Sequence, residues 1–107
     1  MGFKPPQKAK RDMNEGKTVA IFEANGISVY RMDNPADLLL GYSLRSYLVE
    51  VKNGPKAPFT VPQIAFKATW RGNYHVVRTN ADADALVKFI KADANGLALV
   101  PLIGSIS

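Results

Sequence analysis

The stretch from Asp37 to Lys52 places charged side chains within segments that otherwise have the composition of buried strands. Two apolar runs, Asp37 to Tyr42 and Tyr47 to Lys52, flank a turn made of Gly, Ser and Arg residues. This pattern predicts a β-hairpin. Burying unpaired charge costs several kcal/mol or forces neutralisation, so the charged residues need compensation. A divalent cation and a phosphate group would provide it.

The spacing of these charged residues also favours a common site. Residues two positions apart in a strand share a face, so Glu50 and Lys52 project together while Val51 points the other way. Asp37 comes opposite them if the two runs pair as a hairpin. Two carboxylates and an ammonium group would then converge. Oxygen ligands of this kind suit Mg²⁺ or Mn²⁺. The alternative for Glu50 and Lys52 is an exposed ion pair, worth about 0.5 kcal/mol.

In this chain Asp37 is followed, thirteen residues later, by Glu50-Val51-Lys52. This order resembles the signature of the PD-(D/E)XK nuclease superfamily. The surroundings are similar to the VRR-NUC branch and the related Holliday junction resolvases. The other matching features are Asn14-Glu15, Gly26-Ile27-Ser28-Val29-Tyr30-Arg31, Thr60-Val61-Pro62-Gln63, and Gly72 followed by Val76-Val77-Arg78-Thr79. The family usually has proline immediately before the aspartate, whereas Ala36 separates Pro35 from Asp37 here.

A second Glu-x-Lys, Glu15-Gly16-Lys17, shows that the short motif is weakly specific. It lies in a predicted helix, where residues two apart point to nearly opposite sides. The resemblance therefore rests on the ordered set of features, which extends from about residue 12 to residue 92.

The resemblance implies an α/β fold of the restriction-endonuclease type, a mixed β-sheet flanked by helices in the order αβββαβα. It implies a magnesium-dependent nuclease in which Asp37, Glu50 and the Val51 backbone carbonyl hold Mg²⁺ or Mn²⁺. Lys52 would orient the attacking water or neutralise the attacked phosphate. Gln63 would position the scissile phosphate or a metal-bound water.

Glu15 has two interpretations. Asp12 and Glu15 have the spacing of a capping box, and Asn25-Gly26 supplies a stop, which together predict a helix over residues 12–25. In the resembling family a glutamate on this helix lies near the metal, so Glu15 would assist a second ion or its water shell. The apolar residues expected to face inward on this helix are Met13, Val19, Ala20 and Phe22.

The remaining elements are predicted from turn and capping signals. Strands are expected over residues 27–32 and 74–79. Thr60 would cap a short helix over residues 63–70, which Gly72 closes, and Thr79-Asn80 would begin a third helix. Trp70 is expected in the core or at an interface, and His75 as a packed or surface histidine of a strand. The third helix would present the apolar residues Leu86, Val87, Phe89 and Ile90.

Composition limits the chemistry. The 107 residues predict one domain and contain no cysteine, which excludes disulfides, thiolate zinc sites and cysteine nucleophiles. The single histidine excludes a multi-histidine metal site from one chain. No apolar run is long enough to span a membrane and no secretory signal is present. We therefore expect a cytoplasmic protein of a bacterium or of a phage-infected cell.

The positive charge is concentrated at the N-terminus. The formal net charge is +5, and residues 1–11 contain four basic side chains and no acid. This basic arm would contact phosphates or act as a solvated tail. Residues 12–92 would form the nuclease domain. Residues 93–107 would form an apolar tail that adds an edge strand, covers a dimer interface or is disordered, and of these an intermolecular contact is favoured because an exposed apolar run invites association. The candidate DNA-binding residues are Lys8, Lys10, Arg11, Lys56, Lys67 and Arg71.

The resemblance also implies partners. The related resolvases are homodimers that act on branched DNA, so a homodimeric endonuclease acting on Holliday junctions or other branched DNA is the main hypothesis. One alternative is a DNA-binding module of the same fold without catalysis. Another is a nuclease subunit that is active only with a helicase or recombination partner. The compact size is typical of a phage-encoded enzyme.

Overall fold

The computed structural model describes residues 13–54 and 56–96, and side chains from residue 15 onwards. The basic arm and residues 97–107 lie outside this description. The elements are α1 (Met13–Ala24), β1 (Ser28–Arg31), β2 (Leu38–Tyr42), β3 (Arg45–Val51), α2 (Val61–Thr69), β4 (Tyr74–Val77) and α3 (Asn80–Ala94). Their order confirms the predicted sequence of helices and strands.

The four strands form one mixed sheet in the order β1-β2-β3-β4. β1 pairs with β2 and β2 with β3 in antiparallel fashion, whereas β3 and β4 are parallel. The β2–β3 hairpin is confirmed, but its turn consists of Ser43 and Leu44 alone, with φ of 53° and 67°. Such two-residue turns match the twist of the flanking strands. Gly41 and Arg45, which were expected in the turn, pair within the strands instead.

The hydrophobic core lies between one face of the sheet and helices α1 and α3. Thr18 and Phe22 face this core from α1, whereas Ala20 is exposed, so its predicted inward position is wrong. Thr18 lies one turn before Phe22 and therefore on the same side of the helix, so a polar residue occupies part of the buried face. The core residues are Phe22, Ile27, Leu38, Leu40, Tyr47, Val49, Val77, Ala83, Leu86, Val87 and Ile90.

Helix α2 lies on the other face of the sheet and contributes no buried residue. Phe66 contacts the ring of Tyr74 on β4, with 5.5 Å between centroids. Trp70 ends the helix, stacks on Phe66 and is 42% exposed, so a position in the core is wrong for it. Gly72 lies directly under the indole, where a Cβ would come within 2.6 Å of Trp70.

Helix α3 extends past the predicted domain boundary at residue 92. Asp93 is buried, and its Oδ2 accepts hydrogen bonds from the Tyr47 hydroxyl at 2.6 Å and from Arg45 at 3.3 Å. Residues 93 and 94 therefore belong to the folded domain and not to the tail. Of the helices in the described part of the chain, none is long and apolar enough to cross a membrane.

Candidate active site

Asp37 lies immediately before β2 and closes the open end of the hairpin. Lys52 donates its N–H to the Val77 carbonyl of β4 at 2.9 Å, so the N–H of Val51 faces the opposite side, towards β2. Pairing between β2 and β3 ends at Leu38 and Val49. The Asp37 carboxylate takes over as acceptor, with its Oδ2 at 2.9 Å from the Val51 nitrogen. This bond holds one carboxylate beside the Glu50–Val51 peptide.

Glu50 and Lys52 are both buried, with 5% and 8% of their surfaces exposed. The interpretation of this pair as an exposed ion pair is therefore wrong. Lys52 Nζ lies 3.8 Å from Glu50 Oε2. Because they are two apart along the end of β3, the two side chains share the face of the sheet that α2 covers.

Gln63 joins the two buried charges. Its amide nitrogen donates to Glu50 Oε2 at 2.6 Å, and its Oε1 accepts from Lys52 Nζ at 2.6 Å. If the Gln63 amide were flipped, its NH₂ group would face the Lys52 ammonium, which can only donate, and its oxygen would face the Glu50 carboxylate, which can only accept. Lys52 and Glu50 therefore determine the orientation of the Gln63 amide. Oε1 also accepts the N–H of Thr60, which is the N-cap of α2. The capping box of α2 thereby sets the position of Glu50 and Lys52.

Tyr74 on β4 lies close to both carboxylates. Burial, followed by the negative charges of Glu50 and Asp37, raises the pKa of Tyr74 to about 12. Its hydroxyl is buried and has no hydrogen-bond partner among the described residues. From the sequence, Tyr74 was predicted only as the start of a strand. Its position follows from the parallel pairing of Leu48 with Tyr74, for which the sequence has no local signal.

Glu15 is placed on the sheet side of α1 and is only 4% exposed. Its Oε2 lies 3.5 Å from Nε of Arg31 on β1. Its proposed capping partner, Asp12, lies outside the described residues. Residues 13–54 and 56–96 contain no group of three or more Asp, Glu or His side chains arranged to hold a metal. An accessory role for Glu15 at a second ion stays a prediction.

The loop between β3 and α2 carries Phe59 to the edge of this site. Nη1 of Arg78 donates to the carbonyls of Gly54 at 3.1 Å and Ala57 at 2.8 Å, which fixes the loop against the end of β4. Lys67 of α2 approaches the Phe59 ring. Of the other predicted DNA-binding residues, Lys56 and Arg71 are exposed, and Lys8, Lys10 and Arg11 fall outside the described residues.

A cavity of about 160 Å³ opens at the carboxyl ends of β3 and β4. Val51 and Lys52 line it on one side, Lys17 and Thr18 of α1 on another, and Asn80 lies at the start of α3. Its lining is mostly polar, and a cavity of this size holds several waters. Solvent therefore reaches the end of β3 from the side opposite Gln63.

His75 lies on the opposite face of the sheet from the two carboxylates. It packs between the rings of Tyr47 and Phe89, with centroid distances of 6.1 and 5.3 Å. Burial lowers the pKa of His75, and the charge of Asp93 partly opposes this effect. The prediction of a packed strand histidine is confirmed.

The donor set at the end of the hairpin fits a hard divalent cation. Asp37 and Glu50 supply carboxylate oxygens, and Val51 directs its carbonyl to the same side as its N–H, which is the side of Asp37. All of these donors are oxygen atoms, which Mg²⁺ and Mn²⁺ prefer, and such ions commonly keep several waters and phosphate oxygens as further ligands.

Comparison of the chain with protein-family models, with curated proteins and with solved structures returned no match.

Proposed function

We propose that this protein is a metal-dependent endodeoxyribonuclease with a restriction-endonuclease-like fold, and that it hydrolyses phosphodiester bonds in branched DNA such as Holliday junctions. The observation that carries the proposal is the hydrogen bond from the Val51 N–H to Asp37 Oδ2, at 2.9 Å. It holds the Asp37 carboxylate next to Glu50, which precedes Val51 and bears the second carboxylate. Glu50 and Lys52 lie buried on the same strand end. The mixed sheet with its order of helices and strands supports this fold.

Asp37, Glu50 and the Val51 carbonyl would hold the metal ion. A bound Mg²⁺ ion would supply a water of lowered pKa and positive charge for the phosphate oxygens. Two carboxylates confer a charge of −2 on the donor set, which suits a divalent cation.

Lys52 contributes a fixed positive charge next to the attacked phosphate. The amide of Gln63 holds its ammonium group and keeps it within 3.8 Å of Glu50. In hydrolysis, the oxygen of water bonds to phosphorus, the bond from phosphorus to one sugar oxygen breaks, and that oxygen takes up a proton. Lys52 would stabilise the negative charge on the phosphate, while Gln63 acts as a positioning residue.

The substrate follows from charge. The chain has a net charge of +5, most of it in the N-terminal arm, and basic proteins bind DNA chiefly through its phosphates. Contacts to phosphates carry no base sequence information, so we propose that the protein selects its substrate by DNA shape, as branched DNA would require. Two copies of the chain would then cut opposite strands of a junction, and the homodimer is part of the proposal.

A cleavage panel tests the function. Purified protein is incubated with four-way junction, flap, single-stranded and linear duplex DNA, in Mg²⁺, Mn²⁺ or chelator. We expect metal-dependent cleavage with a preference for branched DNA. Glu50→Gln should abolish cleavage, because it removes one carboxylate but keeps an oxygen that can accept from Gln63. The matched control is Glu23→Gln, the same change at an exposed position of α1.

The outcomes separate the alternatives. Cleavage by the wild type and the Glu23 variant, but not by the Glu50 variant, supports the enzyme. Tight DNA binding without metal-dependent cleavage supports a non-catalytic module and contradicts the proposal. Cleavage only after addition of a helicase or recombination protein supports a partner-dependent subunit. Mn²⁺ binding measured by calorimetry gives a second reading, because Glu50→Gln should weaken it even where cleavage is slow.

A further inference from the structure

Three cationic side chains from three separate segments surround the ring of Phe59. Lys67 Nζ lies 4.2 Å from the ring centroid, Lys52 Nζ 5.1 Å and the Arg78 guanidinium carbon 5.6 Å. We call Phe59, Lys67 and Arg78 the Phe59 clamp, and Lys52 connects it to the candidate active site. Positively charged groups from the ends of β3 and β4 and from α2 therefore lie close to one aromatic ring.

The clamp carries positive charge that its neighbours compensate only in part. Lys52 has Glu50 at 3.8 Å. Within the described part of the chain, neither Lys67 nor Arg78 forms an ion pair with a carboxylate. Asp82 is near, but its carboxylate accepts from the backbone N–H of Arg78. The face of an aromatic ring attracts cations but carries no net charge. An anion would therefore be stabilised here.

The loop and the helix that carry the clamp are held in place by bonds that need no ligand. Arg78 donates to the carbonyls of Gly54 and Ala57, which anchors the loop that carries Phe59. Lys67 projects from α2, whose start is fixed by its capping box at Thr60. Lys67 is exposed and Phe59 half-buried, so both are accessible from solvent. Positions fixed in advance reduce the entropy lost on binding.

We propose that the Phe59 clamp binds a backbone phosphate of the DNA strand, next to the phosphate that is cleaved. This inference rests on the proposed function, because it takes DNA as the ligand and the end of β3 as the cleavage site. Lys52 Nζ lies 3.8 Å from Glu50 Oε2 and 5.1 Å from the centroid of the Phe59 ring, so it is close to both. Every nucleotide of a strand carries a phosphate, and successive phosphates are about 3.4 Å apart in projection on the duplex axis and farther apart along the winding backbone. A strand at the active site therefore presents a second phosphate within reach of the clamp.

DNA binding without cleavage tests the clamp. Fluorescence anisotropy with labelled duplex and four-way junction DNA, in chelator and over a range of salt concentrations, gives the affinity and its salt dependence. Lys67→Gln should weaken binding and reduce the slope of log K against log salt by about 1, as loss of one phosphate contact does. The matched control is Lys88→Gln, the same change at an exposed position of α3.

Phe59→Leu tests the ring without changing the charge. It keeps an apolar side chain but removes the aromatic face that Lys67 contacts. We expect weaker binding and a smaller salt slope than in the wild type, with an unchanged circular dichroism spectrum.

The clamp is overturned if Lys67→Gln and Lys88→Gln have the same affinity and slope, even where the wild type cleaves DNA. If the wild type binds DNA with a clamp-dependent slope but never cleaves it with metal, the clamp stands and the hydrolytic function fails.

Discussion

The carboxylate of Asp37 accepts a hydrogen bond from the backbone N–H of Val51, at 2.9 Å. This bond completes the hairpin where β2 has ended, so Asp37 has a structural role whether or not it binds a metal. The same bond sets the carboxylate beside Glu50, at the candidate metal site. The two roles depend on different properties of the side chain, because the bond requires an acceptor oxygen and the metal requires a negative charge.

Substitutions at Asp37 should separate these roles. Asp37→Asn keeps an oxygen that can accept from Val51, so we expect a small change in the free energy of unfolding but loss of cleavage. Asp37→Ala removes the acceptor and should also destabilise the protein by about 1–2 kcal/mol. Urea unfolding and a cleavage assay measure the two effects. Full cleavage by Asp37→Asn would show that its charge plays no part in catalysis.

Gln63 should be coupled energetically to Glu50. Gln63→Met keeps the length of the side chain but leaves Glu50 Oε2 and Lys52 Nζ without their 2.6 Å partners. Hydrogen bonds to charged groups contribute about 1.5–3 kcal/mol, so we expect a loss of stability of about that size. A double-mutant cycle with Glu50→Ala, which removes the acceptor of the Gln63 amide, gives the coupling when it is measured by urea unfolding. Additive effects of the two substitutions would show that the bridge does not stabilise the fold.

Local signals made parts of this site predictable from the sequence. The alternation around Glu50 and Lys52 identified their shared face, and the hairpin followed from two apolar runs separated by a turn. Thr60 was predicted as a cap because threonine is a common N-cap residue and Pro62 suits the first turn of a helix, and the structure places Thr60 at that position. In each case the signal lies within a few residues of the chain.

The remaining features depend on contacts between distant segments. Tyr74 reaches the carboxylates because β4 pairs in parallel with β3 after a crossover through α2, and no short-range pattern fixes that pairing. Likewise, Arg78 holds the loop at Gly54 and Ala57 across more than twenty residues of sequence. The inward phase of α1 was misjudged because Thr18 and Glu15, both polar, occupy buried positions.

The Tyr74 hydroxyl should destabilise the protein at high pH. Its folded pKa of about 12 exceeds the ordinary value of 10.0. The contribution of Tyr74 to stability is therefore fully present below pH 10 and is lost as the pH rises through 12. Burial and the hydrogen bond to Asp93 also raise the pKa of Tyr47 to about 12. Tyr47 therefore affects stability in the same direction as Tyr74. Tyr74→Phe should reduce the loss of unfolding free energy between pH 9 and 11.

The same variant has a second expected result at pH 8. The Tyr74 hydroxyl finds no partner in the described chain, and removing an unpaired buried hydroxyl is neutral or stabilising. A destabilisation of Tyr74→Phe by more than about 1 kcal/mol would indicate that the hydroxyl makes a hydrogen bond in solution.

His75 should make the fold sensitive to mild acid. Its folded pKa lies below the ordinary value of 6.5, chiefly because burial between Tyr47 and Phe89 disfavours the charged imidazolium. The unfolded chain therefore binds the proton more readily, so stability is complete above pH 6.5 and falls as pH decreases below that value. Urea unfolding at pH 7.5 and 5.5 should show a larger loss for the wild type than for His75→Phe, which cannot titrate. The chain has one histidine, so its imidazole NMR resonance reports the pKa directly, and a value at or above 6.5 would mean that the ring is hydrated or that Asp93 outweighs burial.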